Sequence, residues 1–207
     1  DPADRYPSAR HVAEELSTVL EAIHTGNESG MVPQRVMEAQ ERAEIMRIDN
    51  HMTRFDLDMA VRETRTVAER RDTTRIKRHL EERRRQVELM GLFRERLVAV
   101  LNVKRPVFSE FRTADEKLAE VEILKATVKK LYILQKDRVR DLDWSQLPAE
   151  TVVKMAEESG LQEPEDRLSL GVLCHLAQLV PEAIGYLDTL TGTPFEEEAR
   201  SVLQSGP

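Results

Sequence analysis

The side chains with the strongest potential for chemistry are five histidines and one cysteine. They are His11, His24, His51, His79, His175 and Cys174. Imidazole and thiolate groups bind zinc when three or four of them converge, and an activated thiolate can also act as a nucleophile. No histidine shares a convincing helix face with a second ligand at metal spacing, and the adjacent Cys174 and His175 point in different directions on a helix. The sequence therefore predicts no metal site and no catalytic residues.

Basic side chains suggest a second kind of chemistry, nucleic-acid binding, in residues 69–88. This segment holds eight Arg or Lys and five Asp or Glu residues, with an arginine triplet at 83–85. Nucleic-acid sites favour an unbroken basic face with aromatic side chains for stacking. Two glutamates directly precede the triplet, and no aromatic residue lies within the segment. We therefore interpret it as a solvated helix surface and predict no nucleic-acid partner.

The composition favours extended helical structure in one or two small domains. Of the 207 residues, 40% are hydrophobic and 33% are charged, whereas only 4% are aromatic. The net charge of −7 is concentrated at the two ends, while the middle leans basic, which favours self-contact or protein partners. A single cysteine excludes an internal disulfide and suits a cytoplasmic location. No apolar run approaches the length of a membrane span.

Residues 34–103 read as one long helical stretch. They include no proline and one glycine, and most are strong helix formers. A continuous helix of this length would span roughly 100 Å, although Thr73-Thr74 is a weak point in it. An apolar seam with spacings of three and four is typical of a helix that packs on another helix. The seam consists of Ile45, Ile48, Met52, Phe55 and Met59. Either the N-terminal helix 8–23 or a second chain must cover it, and we predict a homodimer contact centred on Ile48, Met52 and Phe55.

A second long helix is predicted from Thr113 to Arg140. Its apolar side consists of Leu118, Val121, Leu124, Val128, Leu131 and Val139. Pro106 ends the first helix, because proline disfavours helical backbone in the residue before it. Folding back at this point, the second helix would form an antiparallel hairpin with the first. The predicted fold class is therefore all-α, a long helical arm with a small helical module at its C-terminal side.

The start of the chain resembles the end of the catalytic domain of Ser/Thr protein kinases, especially the bacterial eukaryotic-like kinases. The residues that carry this resemblance are Asp1-Pro2-Ala3-Asp4-Arg5-Tyr6-Pro7-Ser8-Ala9 and the amphipathic helix that follows, to about residue 23. The resemblance implies that Asp4 and Arg5 are structural residues of the kinase tail, and that Arg5 pairs with a glutamate of the activation segment. It also implies that the parent protein phosphorylates Ser or Thr with ATP and Mg²⁺. The glycine-rich loop, strand lysine, catalytic loop and Asp-Phe-Gly motif do not occur in the chain, so we expect no cofactor and no catalysis in it.

A second resemblance, to a tetratricopeptide repeat, lies near the C-terminal end. The residues that carry it are Leu170, Gly171, Cys174, Ala183, Leu187 and Pro194. The repeat implies two antiparallel helices, and the small residues Gly171 and Ala183 would let them approach closely. The chain departs from the repeat at Cys174, where a large aromatic residue is usual, and at Leu190, where a small residue is usual. A lone repeat needs neighbouring helices to bury its faces.

These patterns divide the chain into four parts. They are the end of a kinase lobe (1–24), a linker (25–33), a helical arm (34–143) and a repeat-like module (144–207). The predicted function is the non-catalytic, regulatory or scaffolding C-terminal part of a bacterial-type Ser/Thr protein kinase. In it the arm would dimerise or position the kinase, and the module would bind a protein partner. The alternative is a free-standing all-helical adaptor without kinase activity, and a nucleic-acid-binding arm is a third, less favoured hypothesis.

Overall fold

Along the chain, one group of helices precedes the four strands of a β-sheet and a second group follows them. A computed structural model describes residues 31–70 and 74–204. The helices before the sheet are α1 (Met31–Thr53), α2 (Leu57–Arg70) and α3 (Thr74–Lys104). The strands are β1 (Val107–Arg112), β2 (Lys117–Ala126), β3 (Lys130–Gln135) and β4 (Arg138–Asp143). After a short 3₁₀ helix (Trp144–Gln146), the last helices are α4 (Ala149–Glu158), α5 (Pro164–Leu176), α6 (Val180–Asp188) and α7 (Glu196–Gln204).

The prediction of an all-α fold is wrong, because the segment Thr113–Arg140 forms strands and not a long helix. The sheet has four antiparallel strands in the order β1-β2-β3-β4, so each strand pairs with the next one in the sequence. The fold class is therefore α+β, with a β-meander between two groups of helices. The predicted hairpin of two long helices does not form, since its second half is this sheet.

The helix was predicted because buried residues in β2 lie three positions apart, and this spacing is typical of a helix. Leu118 and Val121 are both buried although they belong to one strand. Between them, Glu120 has a φ of 52°, so the strand bends and two exposed residues separate the buried ones. A second irregularity of the pairing lies between Ile123 and Lys125. Both features break the alternation by which a half-buried strand is recognised.

A two-residue turn between β3 and β4 was also absent from the sequence prediction. Gln135 pairs with Arg138, and the two residues between them, Lys136 and Asp137, have φ values of 47° and 60°. Positive φ at both central positions is the type I′ turn, whose twist matches that of the flanking strands. The usual Asn-Gly or Asp-Gly signature of this turn is missing here, so the local sequence did not identify the hairpin.

The inner face of the sheet is buried in the core and packs on α3. Its buried side chains include Phe108, Phe111, Ile123, Leu131 and Ile133. Asn102, near the end of α3, fastens the two elements together. Its Oδ1 accepts a hydrogen bond from the Ala126 N–H at 2.8 Å, and its Nδ2 donates to the Ala126 carbonyl at 2.9 Å. The side-chain amide thus satisfies both backbone groups of the residue at which β2 ends.

The long helical stretch is broken near Phe55, without glycine or proline. Phe55 has a φ of 55°, and its N–H donates to the Met52 carbonyl at 2.9 Å, as in a C-terminal helix cap. Glycine usually occupies such a position because a side chain disfavours positive φ. The Phe55 ring is fully buried, with its centroid 5.6 Å from that of Trp144 and 6.2 Å from that of Phe93. These contacts stabilise the unusual backbone conformation.

The helices after the sheet add to the same core. Trp144 is buried, and its indole N–H donates to the Thr127 carbonyl at 2.8 Å, which joins the end of the sheet to the β2–β3 turn. α5 packs on α1 and α3, and also on α6. One continuous cluster of buried residues therefore extends from Ile48 to Val202.

Candidate protein-binding surface

Metal-binding and nucleophilic side chains were the first candidates for a site. Within residues 31–70 and 74–204, no three His, Cys, Asp or Glu side chains are grouped so that they could hold a metal ion. The Cys174 thiol is buried on α5. Burial, reinforced by Glu182 and other carboxylates nearby, raises the pKa of Cys174 from 9.0 to about 12. A thiol that stays protonated at neutral pH is a poor nucleophile, so the environment of Cys174 indicates a packing role.

We expect Cys174 to resist thiol reagents until the chain unfolds. At mildly alkaline pH, the native chain should react with dithionitrobenzoate at least about a hundredfold more slowly than the urea-unfolded chain, because the reagent needs an accessible thiolate. The measurement is the rate of thionitrobenzoate release with and without urea. Rapid stoichiometric labelling of the native protein would contradict the buried position.

The same thiol should make the stability of the protein depend on alkaline pH. Its pKa is higher in the folded chain than in the unfolded chain, so its contribution is complete below pH 9.0 and is lost as the pH rises towards about 12. Chemical unfolding curves across this window should therefore show a smaller alkaline loss for Cys174→Ala than for the unchanged protein. If both proteins lost the same amount of stability, groups other than Cys174 would determine the alkaline pH dependence.

Two ion pairs hold α1 and α5 on α3. Arg83 on α3 donates two hydrogen bonds to Asp49 on α1, at 2.6 and 3.2 Å. Arg96, also on α3, donates from Nε to the fully buried Asp166 of α5 at 2.7 Å. Burial raises the pKa of Asp49, and the neighbouring Arg83 opposes this shift. Each carboxylate is matched by a guanidinium of another helix, so we assign these pairs a structural role.

Most residues predicted to form sites lie in the core or outside the described residues. Asp4 and Arg5, the predicted kinase-tail residues, belong to the part of the chain that is not described. Ile48, Met52 and Phe55, the centre of the predicted homodimer contact, are all 0% exposed in the core of a single chain. The chain itself covers the centre of this seam, whereas Ile45 and Met59 are half-buried. A dimer contact through the three central side chains would require them to leave the core.

Gly171 and Ala183 lie in the predicted pair of helices. Both are buried, Gly171 on α5 and Ala183 on α6, and the two helices pack on each other. A Cβ atom added to Gly171 would lie 2.5 Å from Leu187 Cδ2 of α6, so this glycine permits the close approach. The predicted helix pair is therefore present, while its relation to tetratricopeptide repeats stays a prediction.

The face of the sheet opposite the inner face, called here the outer face, presents apolar side chains from all four strands. Its residues include Val107, Glu122, Leu124, Tyr132, Leu134 and Val139, and also the exposed Lys125, which pairs with Tyr132. Val107 pairs with Glu122, Glu122 with Leu134 and Leu134 with Val139, so these four residues form one row across the sheet. The ends of this row, Val107 and Val139, are 65% and 64% exposed. Between them lie Glu122 and Leu134, which are half-buried, as are Leu124 and Tyr132. Apolar side chains left uncovered or partly covered on one face of a sheet indicate a surface that binds another molecule.

The charges on and around the outer face leave one carboxylate available to a partner. Glu122 lies in the row between Val107 and Leu134, and it forms no ion pair with the residues that the structure describes. At the rim, Lys130 of β3 forms an ion pair with Asp141 of β4. Their hydrogen bond lowers the pKa of Asp141 and raises the pKa of Lys130. Since these two charges neutralise each other, Glu122 is the one charged side chain of the four in the row, and Lys125 on the same face forms no ion pair with it.

The edges of the sheet are protected against pairing with a second copy. On β1, Thr151 and Lys154 of α4 donate side-chain hydrogen bonds to strand carbonyl groups, at 2.8 and 3.1 Å. On β4, antiparallel pairing of two copies about a twofold axis would place Arg140 opposite Arg140 or Asp141 opposite Asp141. Like charges directly opposite each other destabilise a strand pair. The edges of the sheet are therefore poorly suited to pairing with a second copy of the chain.

The sequence prediction missed the outer face because it assigned these residues to a helix. The predicted helix 113–140 has Leu124 and Val139 on its apolar side, and it assigns no role to Tyr132 and Leu134. The available signal was the run Leu131-Tyr132-Ile133-Leu134, which is rich in residues that favour strands. A strand at this place would have put Tyr132 and Leu134 on one face and Leu131 and Ile133 on the other.

Comparisons with known proteins identify no family for this chain. No protein-family model, no curated protein and no solved structure matches it. Among the helices of the described residues, none is both long enough and apolar enough to cross a membrane.

Proposed function

We propose that the chain is a non-catalytic, protein-binding part of a bacterial-type Ser/Thr protein kinase, and that it binds its partner through the outer face of the sheet. The observation that carries this proposal is the row across the outer face, in which Val107 and Val139 are exposed at the ends and Glu122 and Leu134 are half-buried between them. The inner face of the same sheet is anchored to α3 by its buried side chains and by Asn102. A binding surface on such a rigid support requires little ordering when the partner arrives.

The kinase part of the proposal is supported by the first nine residues, which resemble the end of a kinase large lobe. In this proposal the parent protein uses ATP and Mg²⁺ upstream of Asp1, and the present chain recruits or positions a protein partner in the cytoplasm. A homodimer through Ile48, Met52 and Phe55 is not part of it, because those side chains are buried within one chain. The alternative, an adaptor without a kinase, would use the same surface.

Site-specific photocrosslinking tests the binding surface. A benzoylphenylalanine placed at Val139 should crosslink a partner protein in cells, while the same group at Leu92 should not. Leu92 is a matched control because it is 57% exposed but lies on α3, away from the outer face. With the crosslinked partner purified, Val139→Asp should weaken binding at least about tenfold, because it places a charge in an apolar contact. The proposal fails if Val139→Asp binds as the unchanged chain does, or if Leu92→Asp has the same effect.

The gene sequence upstream of Asp1 tests the kinase part separately. We expect it to encode a glycine-rich loop, a strand lysine, a His-Arg-Asp loop and an Asp-Phe-Gly motif, in that order. ATP-dependent phosphorylation should then require this upstream part and a functional Asp-Phe-Gly aspartate. An upstream sequence without these motifs would favour the adaptor and leave the binding surface unaffected.

A further inference from the structure

We infer that the partner of the outer face is an amphipathic helix of another protein that carries one Lys or Arg between large apolar side chains. This inference rests on the proposed function and specifies the partner's chemistry. It follows from the order of side chains in the row, which is apolar at Val107, acidic at Glu122, and apolar again at Leu134 and Val139. A complementary ligand therefore presents four side chains in the same order, of which the second is basic and the other three are apolar.

A helix has the spacing that this row requires. Neighbouring strands lie about 4.8 Å apart, so the row from Val107 to Val139 spans roughly 14 Å. One turn of an α-helix rises about 5.4 Å, so a helix across the strands places one side chain per turn over each strand. Residues at i, i+4, i+7 and i+11 of the partner helix would then contact the four positions of the row. The basic residue belongs at i+4, above Glu122.

The Glu122 carboxylate favours a cation at that position. It lies half-buried between Val107 and Leu134, and none of the described cations pairs with it. A helix that placed only apolar side chains over the row would desolvate this carboxylate without compensation. A Lys or Arg at the centre replaces the lost water with a charge-assisted hydrogen bond. Charge thus determines which amphipathic helices bind and which do not.

A second copy of this chain is a poorer occupant. The part of the outer surface that all four strands share is limited by the six-residue strands β1, β3 and β4. It measures about 19 by 20 Å, or roughly 400 Å². A stable protein–protein interface of standard size buries about 800 Å² on each partner. Stacking two outer faces would also bring two Glu122 carboxylates into one contact, and like charges in a desolvated contact repel each other. A single helix needs a smaller area and supplies the missing cation.

The segment 8–23 of the same chain also suits the outer face less well than a basic partner helix, because of its charge. Its sequence pattern is amphipathic, but Glu14, Glu15 and Glu21 outnumber its one cation other than histidine, Arg10. Binding this segment would place mainly acidic side chains near Glu122. The two alternatives, a second copy and this segment, are therefore separate outcomes of the test below.

Two synthetic peptides of 18 residues test the inference. Both carry leucines at i, i+7 and i+11 on an alanine-rich helix, and they differ only at i+4, which is Arg in one and Glu in the other. Fluorescence anisotropy with the chain 1–207 should show at least tenfold tighter binding of the Arg peptide. Glu122→Arg should reverse this preference. Glu95→Arg, a charge reversal at an exposed position of α3, should leave the preference unchanged.

Each remaining outcome has a defined meaning. If both peptides bind equally and Val139→Asp weakens both, the outer face binds helices but the inferred charge selection is wrong. If neither peptide binds, the helix partner is wrong, whereas the photocrosslinking result at Val139 still decides the proposed function. Tenfold tighter peptide binding after Leu16→Glu with Leu20→Glu would identify segment 8–23 as the occupant. A dimer in light scattering that Val139→Asp dissociates would identify a second copy, and either result would overturn the inference.

Discussion

Replacing Ile48 and Phe55 together by glutamate should unfold the chain. Both side chains are fully buried, and the Phe55 ring contacts Phe93 and Trp144. Removing a buried phenylalanine ring alone costs about 3–5 kcal/mol, and each buried carboxylate without a partner adds several kcal/mol. Since a domain is stable by about 5–15 kcal/mol in total, the double substitution should exceed the stability of the fold. Circular dichroism should show loss of the cooperative thermal transition.

The control for this experiment is Val61→Glu combined with Leu92→Glu. These residues are 53% and 57% exposed on α2 and α3, so the same chemical change should cost less than about 1 kcal/mol. The two hypotheses for the seam predict opposite results. If Ile48 and Phe55 formed a dimer contact, their substitution would yield a folded monomer with an intact thermal transition. Such a monomer would contradict the packing described here.

Gly171→Leu should destabilise the protein by about 2 kcal/mol. A Cβ atom at this position would lie 2.5 Å from Cδ2 and 2.6 Å from Cγ of Leu187, and Leu187 is itself buried. Forcing extra atoms into a packed contact typically costs about 1–3 kcal/mol, and a whole leucine side chain lies at the upper end. The gain in helix propensity over glycine, about 1 kcal/mol, offsets only part of this cost. Urea unfolding measures the difference.

Gly185→Leu is the matched control, because Gly185 is a helical glycine of α6 with no atom near its missing Cβ. This substitution should leave stability unchanged or increase it by up to about 1 kcal/mol. The contact with Leu187 is tested by a double-mutant cycle. In the Gly171→Leu background, Leu187→Ala should cost at least about 1 kcal/mol less than it does alone, since it relieves the clash. Independent effects of the two substitutions would mean that α5 and α6 are packed differently.

The sequence predicted the helices at the two ends of the described chain better than its middle. The start of α4 after Pro148 and the last helix near Glu196 follow from local signals, proline at a helix start and acidic residues in a first turn. The apolar seam around Met52 was also recognised, but its periodicity did not specify what covers it. Its cover comes from Phe93, Trp144 and other residues that are distant in the sequence, so only the tertiary structure identifies it.

Local sequence patterns could not predict the sheet or the candidate surface, and the reason is physical. In β2, the positive φ of Glu120 gives the strand a helix-like spacing of buried residues, and in the β3–β4 turn Lys136 and Asp137 replace the usual turn residues. Local patterns at these places therefore favoured the wrong secondary structure. Because assignment to a helix or a strand determines which side chains share a face, the error also removed Val107 and Val139 from consideration.

The contact between Phe55 and Trp144 has a consequence for the synthesis of the protein. These residues are separated by about 90 positions, and a ribosome that adds roughly 5–20 residues per second needs about 5–20 s to make the intervening chain. During that interval α1 and α2 have no tryptophan to cover the end of their apolar seam, whereas the hairpins of the meander pair only neighbouring strands. The helices α1, α2 and α3 pack on one another and can associate before the sheet is made, but the cover of Phe55 is complete only when Trp144 has been added. We expect a nascent chain halted before Trp144 to leave part of Phe55 uncovered, and therefore to bind chaperones that recognise exposed apolar segments.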